Sequence, residues 1–291
     1  MEDQGFSLRT SPETRPEILS MAPLEAMDFA GFLSRMLATS DQETVWSQAC
    51  DFFARLGFAH VLYGYSPDSR GARLGVPEDY LIFSTLPPPV LTEMVTKNHF
   101  LQSTTFVWAL TNVGIARFSW SSADCGVDPG FLPPIESQEF FARNHMLTGC
   151  SIGFPPERSR GRAVMSLIGP QGVPQADVDA VLDQTQDAVF TVAAVAHRCM
   201  CNLPLQLSGR RNLTPRQREV LEWVADGKTS ADIATIMGIS TPTVEKHLRL
   251  AREALGVETT AHALIKAAFL NQVFCVPPAT VIAMHERAPR L

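Results

Sequence analysis

Apolar residues recur at helical spacing over 24–38 and again over 41–56, with Ser40 or Asp41 placed to cap the second segment. Gly57 stands where that helix must stop, and the aromatic and β-branched run at 58–65 predicts a strand. A second strand follows at 80–85, then a helix over 88–97 with prolines in its first turn, and a short helix over 138–145. The segments 150–154 and 163–168 predict two more strands joined by a Pro- and Gly-containing turn. A long helix is expected over 174–198, with Asp177, Asp179, Asp183 and Asp187 on its wet side. Two helices, strands with helices between them and a closing helix predict an α+β sensor-like domain, an antiparallel sheet flanked by helices.

Beyond a polar stretch around 202–212 the period is helical only. Thr214 is positioned to cap a helix with Pro215 at its first position, and Gln217 three residues on completes a capping box. Val220, Leu221 and Val224 form its inner stripe, and Gly227 ends it. Thr229 or Ser230 caps a second helix that turns Ile233, Ala234 and Met237 inward. After the tight turn Gly238-Ile239-Ser240, a third helix capped by Ser240 or Thr241 turns Val244, Leu248 and Ala251 inward. Its outer faces then carry Thr243, Lys246, His247, Arg249, Leu250 and Arg252. Helix, small-residue turn and a second helix with a polar, basic outer stripe is the layout that enters the DNA major groove. Thr243, Lys246, His247, Arg249 and Arg252, with Lys228 in the preceding turn, are the candidate DNA-binding residues.

Charge sharpens this division. The 291 residues carry a net charge of −6, which is unpromising for a DNA binder taken whole. Residues 1–208, however, hold 13 Lys/Arg against 22 Asp/Glu, whereas 209–275 hold 9 against 7. The C-terminal part is therefore basic, but only weakly, and a dimer would double its phosphate footprint. No apolar run reaches the roughly 18 residues of a membrane span, and the acidic start has no apolar signal core, so a cytoplasmic protein is expected. The cysteines at 50, 125, 150, 199, 201 and 275 are scattered, and the close pair Cys199 and Cys201 lacks a second pair for a zinc site. Reduced, buried thiols and no metal or cofactor are the expectation.

The stretch 213–257 strongly resembles the LuxR-type (GerE-like) helix-turn-helix. The family pattern is met by Leu213, Thr214, Arg216, Glu219, Val220, Leu221, Gly227-Lys228-Thr229, Ile233-Ala234, Ile239-Ser240, Thr243-Val244, His247 and Leu255-Gly256-Val257. Gln217 and Asp232 replace family glutamates but keep capping or polar roles. The resemblance implies an all-α four-helix domain over 213–274, a homodimer, and double-stranded DNA with an inverted-repeat operator as partner, with RNA polymerase as a further candidate. A fourth helix, which supports dimerisation in the family, would fall at 261–274 with Leu264, Ile265, Ala268 and Phe269 apolar.

Residues 25–198 are similar, less closely, to the acyl-homoserine-lactone-binding domain of quorum-sensing LuxR regulators. Leu56-Gly57-Phe58, the segment 85–100, Trp120, residues 149–155, Gly161 and Ser166 carry the similarity. In the family a Trp, a Tyr and an Asp clamp the lactone and amide groups; anchored on Pro87, those positions here hold Val90, Met94 and Ser103. A buried amide without partners costs about 1–3 kcal/mol per group. The expectation is therefore a sensor that takes a non-standard, small apolar or acyl-type ligand, or needs none, rather than an ordinary lactone. The alternative is a true lactone receptor with a rearranged pocket. Tyr63, Val90, Met94, Ser103, Trp108, Trp120 and Ser166 are the candidate pocket residues.

The expected organisation is an arm at 1–23, a sensor domain at 24–200, a linker at 201–212, the helix-turn-helix domain at 213–274 and a tail at 275–291. Two rival classes fit worse. Residues 149–153 spell the G-x-S-x-G of serine hydrolases, but Pro155 and Pro156 follow where the motif needs a helix. A sigma-factor-like RNA polymerase subunit shares part of the C-terminal pattern, but would need an upstream helical, aromatic-rich region where strands and Pro/Gly loops are predicted instead. A regulator, not an enzyme, is the reading.

Overall fold

The computed structural model describes residues 9–10, 27–69, 73–128, 130–157, 160–204 and 212–274. The chain divides into two compact units, 1–200 and 201–291. The tail 275–291, Cys275, the linker positions 205–211 and all of the expected arm except residues 9–10 lie outside the described residues.

The first unit is a six-stranded sheet between two helical layers. Its elements are β1 (Arg9–Thr10), α1 (Phe29–Leu37), α2 (Gln42–Arg55), β2 (His60–Ser66), β3 (Leu81–Ser84), α3 (Pro88–Thr96), α4 (Thr104–Thr111), β4 (Gly114–Arg117), α5 (Ile135–Arg143), β5 (Gly149–Gly153), β6 (Arg162–Ile168) and α6 (Gln175–Asn202). The strand order is β1-β3-β2-β6-β5-β4; β1 runs parallel to β3 and every other pair is antiparallel. The expected antiparallel sheet flanked by helices is thus present, with corrections at its edges. Arg9–Thr10, placed in a loose arm by the sequence, pairs with Phe83 and Ser84 as an edge strand. The helix α4 and the strand β4 had no signal in the pattern.

Side chains alternate across the sheet. Leu62, Ile82, Val164 and Ile168 face a layer of α3, α4 and α5, where they join Leu91, Met94, Phe100, Phe106 and Phe140 in one apolar cluster. On the other face Trp46 of α2 meets Phe83 with ring centroids 5.5 Å apart, and Tyr63 meets His197 of α6. Asp41 caps α2 through the Thr44 amide at 2.8 Å, and Gly57 follows with φ 91°. The end of α6 runs past the expected 198 because Met200 and Cys201 are buried and the Gln42 amide donates to the Met200 carbonyl at 2.9 Å. The linker expected from 201 therefore starts as helix.

The second unit contains α7 (Pro215–Ala225), α8 (Ser230–Met237), α9 (Thr241–Leu255) and α10 (Thr260–Phe269). Val220, Leu221, Ile233, Val244, Leu248, Ala251, Leu255, Ala263 and Ala267 are its buried centre. Val224 and Met237 are only half-buried, and α10 stops at Phe269 rather than 274. On α10 the inward residues are Ala263 and Ala267, while Ile265 is 56% exposed.

Cys50, Cys125, Cys150 and Cys199 are free thiols. Burial raises the Cys50 thiol and pushes Cys150 up to about 12, so neither is a reactive thiolate at neutral pH.

Candidate functional site

Two regions carry chemistry, one in each unit. In the second unit the local sequence builds a rigid frame for α9. The Thr214 hydroxyl accepts from the Gln217 amide at 3.3 Å while the Gln217 side chain takes the Thr214 amide at 2.9 Å. Thr229 and Asp232 repeat the arrangement at 3.2 and 3.0 Å, and the Thr229 hydroxyl and amide hold the Asp232 carboxyl below its ordinary range. Gly238, at φ 65°, closes α8 with the left-handed geometry only glycine adopts freely, and Ser240 then starts α9 with Pro242 in its first turn. The Ser240 hydroxyl bonds Thr243 Oγ1 at 2.8 Å instead of a backbone amide.

On α9 the buried side is Val244, Leu248, Ala251 and Leu255. Positions 246 and 249 lie opposite at 3.6 residues per turn, and Lys246 and Arg249 are exposed there. Arg249 pairs with Glu253 at 2.5 Å, both side chains more than half exposed. Such a surface pair holds at most about 1 kcal/mol, so the guanidinium can exchange Glu253 for a phosphate. Lys228 is exposed in the turn before α8. Thr243 and His247 are half-buried on the flanks of the stripe. Arg252 is placed differently: it is half-buried and donates to Thr260 Oγ1 of α10 at 3.0 Å, which ties it to its own domain.

In the first unit two cavities lie on the α3/α4/α5 side of the sheet. The outer, of about 210 Å³, is lined by Leu62, Met94, Phe100, Gln102, Ser103, Thr104, Thr105, Phe106, Phe118, Pro133, Phe141, Met146, Leu147, Ser166 and Ile168. The inner, of about 50 Å³, is lined chiefly by Leu62, Leu74, Tyr80, Ile82, Leu91, Met94, Val95, Phe100, Phe106 and Leu110, with Arg162 as its one charged side chain. None of the outer cavity's lining residues is charged. Its polar wall carries the hydroxyls of Ser103, Thr105 and Ser166. Ser103 bonds Thr105 at 3.2 Å, and the buried Ser151 behind the lining bonds Thr105 at 3.1 Å and Ser166 at 3.3 Å. The register pairs Ser151 with Ser166 across β5 and β6, which puts both on the cavity face beside Leu62. The link to Thr105 requires α4 to lie directly on β5. Gly153 permits this, since a Cβ there would stand 2.1 Å from the Asn112 carbonyl oxygen. Ser103 caps α4, its hydroxyl accepting from the Phe106 amide at 3.4 Å.

Of the candidate pocket residues, Met94, Ser103 and Ser166 line the outer cavity. Tyr63 does not. It neighbours Leu62 on β2 and so points to the opposite face, where its hydroxyl meets His197 Nδ1 at 2.9 Å. His197 stacks on Phe154 at 4.4 Å, and burial lowers its pKa to about 4. Val90 packs at the edge of the apolar cluster, and Trp108 and Trp120 pack edge-to-face on each other at 5.4 Å; none of the three lines either cavity. Thr105 was missed as a pocket residue, and Ser151 as the buried hydroxyl behind the lining. A signal existed for Ser151 and Ser166, each a lone hydroxyl within an apolar strand, which burial obliges to find a partner. Ser151 is 1% exposed within β5, and the described residues 154–157 after it are not helical. Among the described residues no helix is long and apolar enough to cross a membrane, and no group of three or more His, Cys, Asp or Glu is placed to hold a metal ion.

The family described as the autoinducer binding domain matches residues 41–200, and that of bacterial regulatory proteins of the luxR family matches 211–267. The transcriptional activator ExpR of Dickeya dadantii (strain 3937) is 29% identical over 112 residues, covering 35% of this chain and 45% of ExpR. AnoR of Acinetobacter nosocomialis is 45% identical over 59 residues, 20% of this chain and 25% of AnoR. The chain thus spans less than half the length of these two relatives in its matches to them. The quorum sensing-dependent regulator VjbR of Brucella abortus (strain 2308) is 25% identical over 253 residues, 85% of this chain and 95% of VjbR. Among solved structures, SdiA of Escherichia coli aligns over 85% of this chain and 98% of its own, at 16% identity and a TM-score of 0.47. With an autoinducer-binding domain over more than half its length and a luxR-type helix-turn-helix behind it, the chain belongs to the LuxR family of bacterial regulatory proteins.

Proposed function

We propose that the protein is a dimeric, sequence-specific DNA-binding transcription regulator that reads each half of an inverted repeat with α9. The observation that carries this reading is the geometry of one helix: α9 buries Val244, Leu248 and Ala251 and presents Lys246 and Arg249 on its far side. Both donate to phosphate or to base edges, and Lys228 adds a charge at the frame's edge. The test is a gel-shift titration of the full-length protein on operator DNA over a range of salt. Lys246→Ala and Arg249→Ala should each weaken binding, and removing a cation that neutralises one phosphate should lower the salt slope by about 1. Unchanged affinity and slope in both variants would place the DNA surface elsewhere.

The first unit is proposed to sense a small, uncharged and mainly apolar ligand. Support comes from the outer cavity, whose lining residues are uncharged and whose polar side chains are Gln102 and hydroxyls. Hydroxyls both donate and accept, so they suit a neutral carbonyl or alcohol head. With Ser103 in place of a carboxylate, no anion is available to accept an amide N–H, and Met94 offers no phenol. A cytoplasmic location fits a protein that must reach DNA.

A further inference from the structure

The two cavities share four lining residues: Leu62, Met94, Phe100 and Phe106. These four therefore form the partition between them. Three are held in place. Leu62 belongs to the central strand β2, and Phe100 and Phe106 lock each other edge-to-face at 5.2 Å. Met94 is different. It is 2% exposed on α3, and its unbranched thioether can swing through rotamers that a ring or a branched chain cannot adopt. The outer cavity alone, at about 210 Å³, is smaller than the roughly 300 Å³ at which ligand pockets usually begin. Past Met94 from the outer cavity lies the apolar chamber bounded by Leu91, Val95 and Leu110.

Resting on the proposed uncharged ligand, we infer that Met94 is a movable partition that sets ligand length. The site takes a straight-chain neutral amphiphile. Its hydroxyl or carbonyl head bonds Ser103, Thr105 and Ser166, which the buried Ser151 links from behind, and its tail displaces Met94 to enter the inner chamber.

The probe is a series of straight-chain primary alcohols from butanol to dodecanol, titrated into the full-length protein by calorimetry. In the native protein each methylene buried should raise affinity about fourfold. The rise pauses where the chain first meets Met94 and then resumes. Met94→Ala should remove the pause. Met94→Leu keeps nearly the same volume, so it should fold and bind short alcohols normally, but its stiffer side chain should end the rise at the pause. Circular dichroism melts of both variants confirm folding. Saturable alcohol binding with the same length profile in all three proteins would overturn the partition and leave the uncharged-ligand reading standing. Saturable binding of a simple acyl-homoserine lactone with no binding of any alcohol would overturn both.

Discussion

The two units of this chain treat their family's pattern in opposite ways. The DNA-reading unit keeps it almost residue by residue, from Leu213-Thr214 through Gly227-Lys228-Thr229 to Leu255-Gly256-Val257. The sensor unit keeps the scaffold, with its sheet, its flanking helices and Gly57, whereas the resemblance anchored on Pro87 assigns Val90, Met94 and Ser103 to the positions of the family's polar clamp. A surface that must fit DNA tolerates little change, because DNA presents the same phosphate spacing to every reader. A cavity has only to fit its own ligand. Its polar groups can be exchanged as long as each buried one finds a partner, as the hydroxyls of Ser103, Thr105, Ser151 and Ser166 do.

If the units are separately built, damage to one should spare the other. Leu248→Ala leaves a hole in the centre of the reader and should destabilise it by about 2–5 kcal/mol. Denaturant unfolding should show this loss in the reader's transition alone; an equal shift in the sensor's would mean that the two fold as one cooperative body. The sensor should in turn respond to acid through His197. Burial keeps its imidazole neutral, so its folded pKa of about 4 lies below the ordinary 6.5. As pH falls the unfolded chain takes up the proton first. Its contribution is complete above pH 6.5 and is lost on the way down to about pH 4, by about 3 kcal/mol. His197→Gln, which can still bond Tyr63 but does not titrate, should flatten that slope when unfolding is followed from pH 7 to pH 4. The smallest effect belongs to a cap: Thr229→Ala should cost the reader about 1 kcal/mol without altering α9's outer face. A loss of DNA binding far beyond this small destabilisation would give Thr229 a role in the interface itself.

The same contrast governs how much was legible in the sequence. The reader's helices follow from neighbours three or four residues apart, such as Thr214 with Gln217, Thr229 with Asp232 and the Gly238 turn, so caps and inner faces could be read directly. Arg252 escaped because its partner, Thr260, lies on the next helix. In the sensor the strands β2, β3, β5 and β6 were visible from their composition, but β1, β4 and α4 were not. The α4 sequence TTFVWALT is rich in β-branched and aromatic residues, and it is helical because Ser103 caps it and Gly153 lets it rest on the sheet. Alternation put Leu62 and Tyr63 on opposite faces, yet only the packed layers decide which face holds the cavity. The hydroxyl chain joins positions 103, 105, 151 and 166 from separate elements, a proximity that local spacing does not encode.

The most direct test of this account is a calorimetric titration of the full-length protein with a simple acyl-homoserine lactone, beside a neutral straight-chain alcohol of similar length. The proposed replacement of the clamp predicts saturable binding of the alcohol and none of the lactone at the same concentrations. Tight, saturable lactone binding would show instead a true lactone receptor with a rearranged pocket, and would contradict the reading built on Val90, Met94 and Ser103.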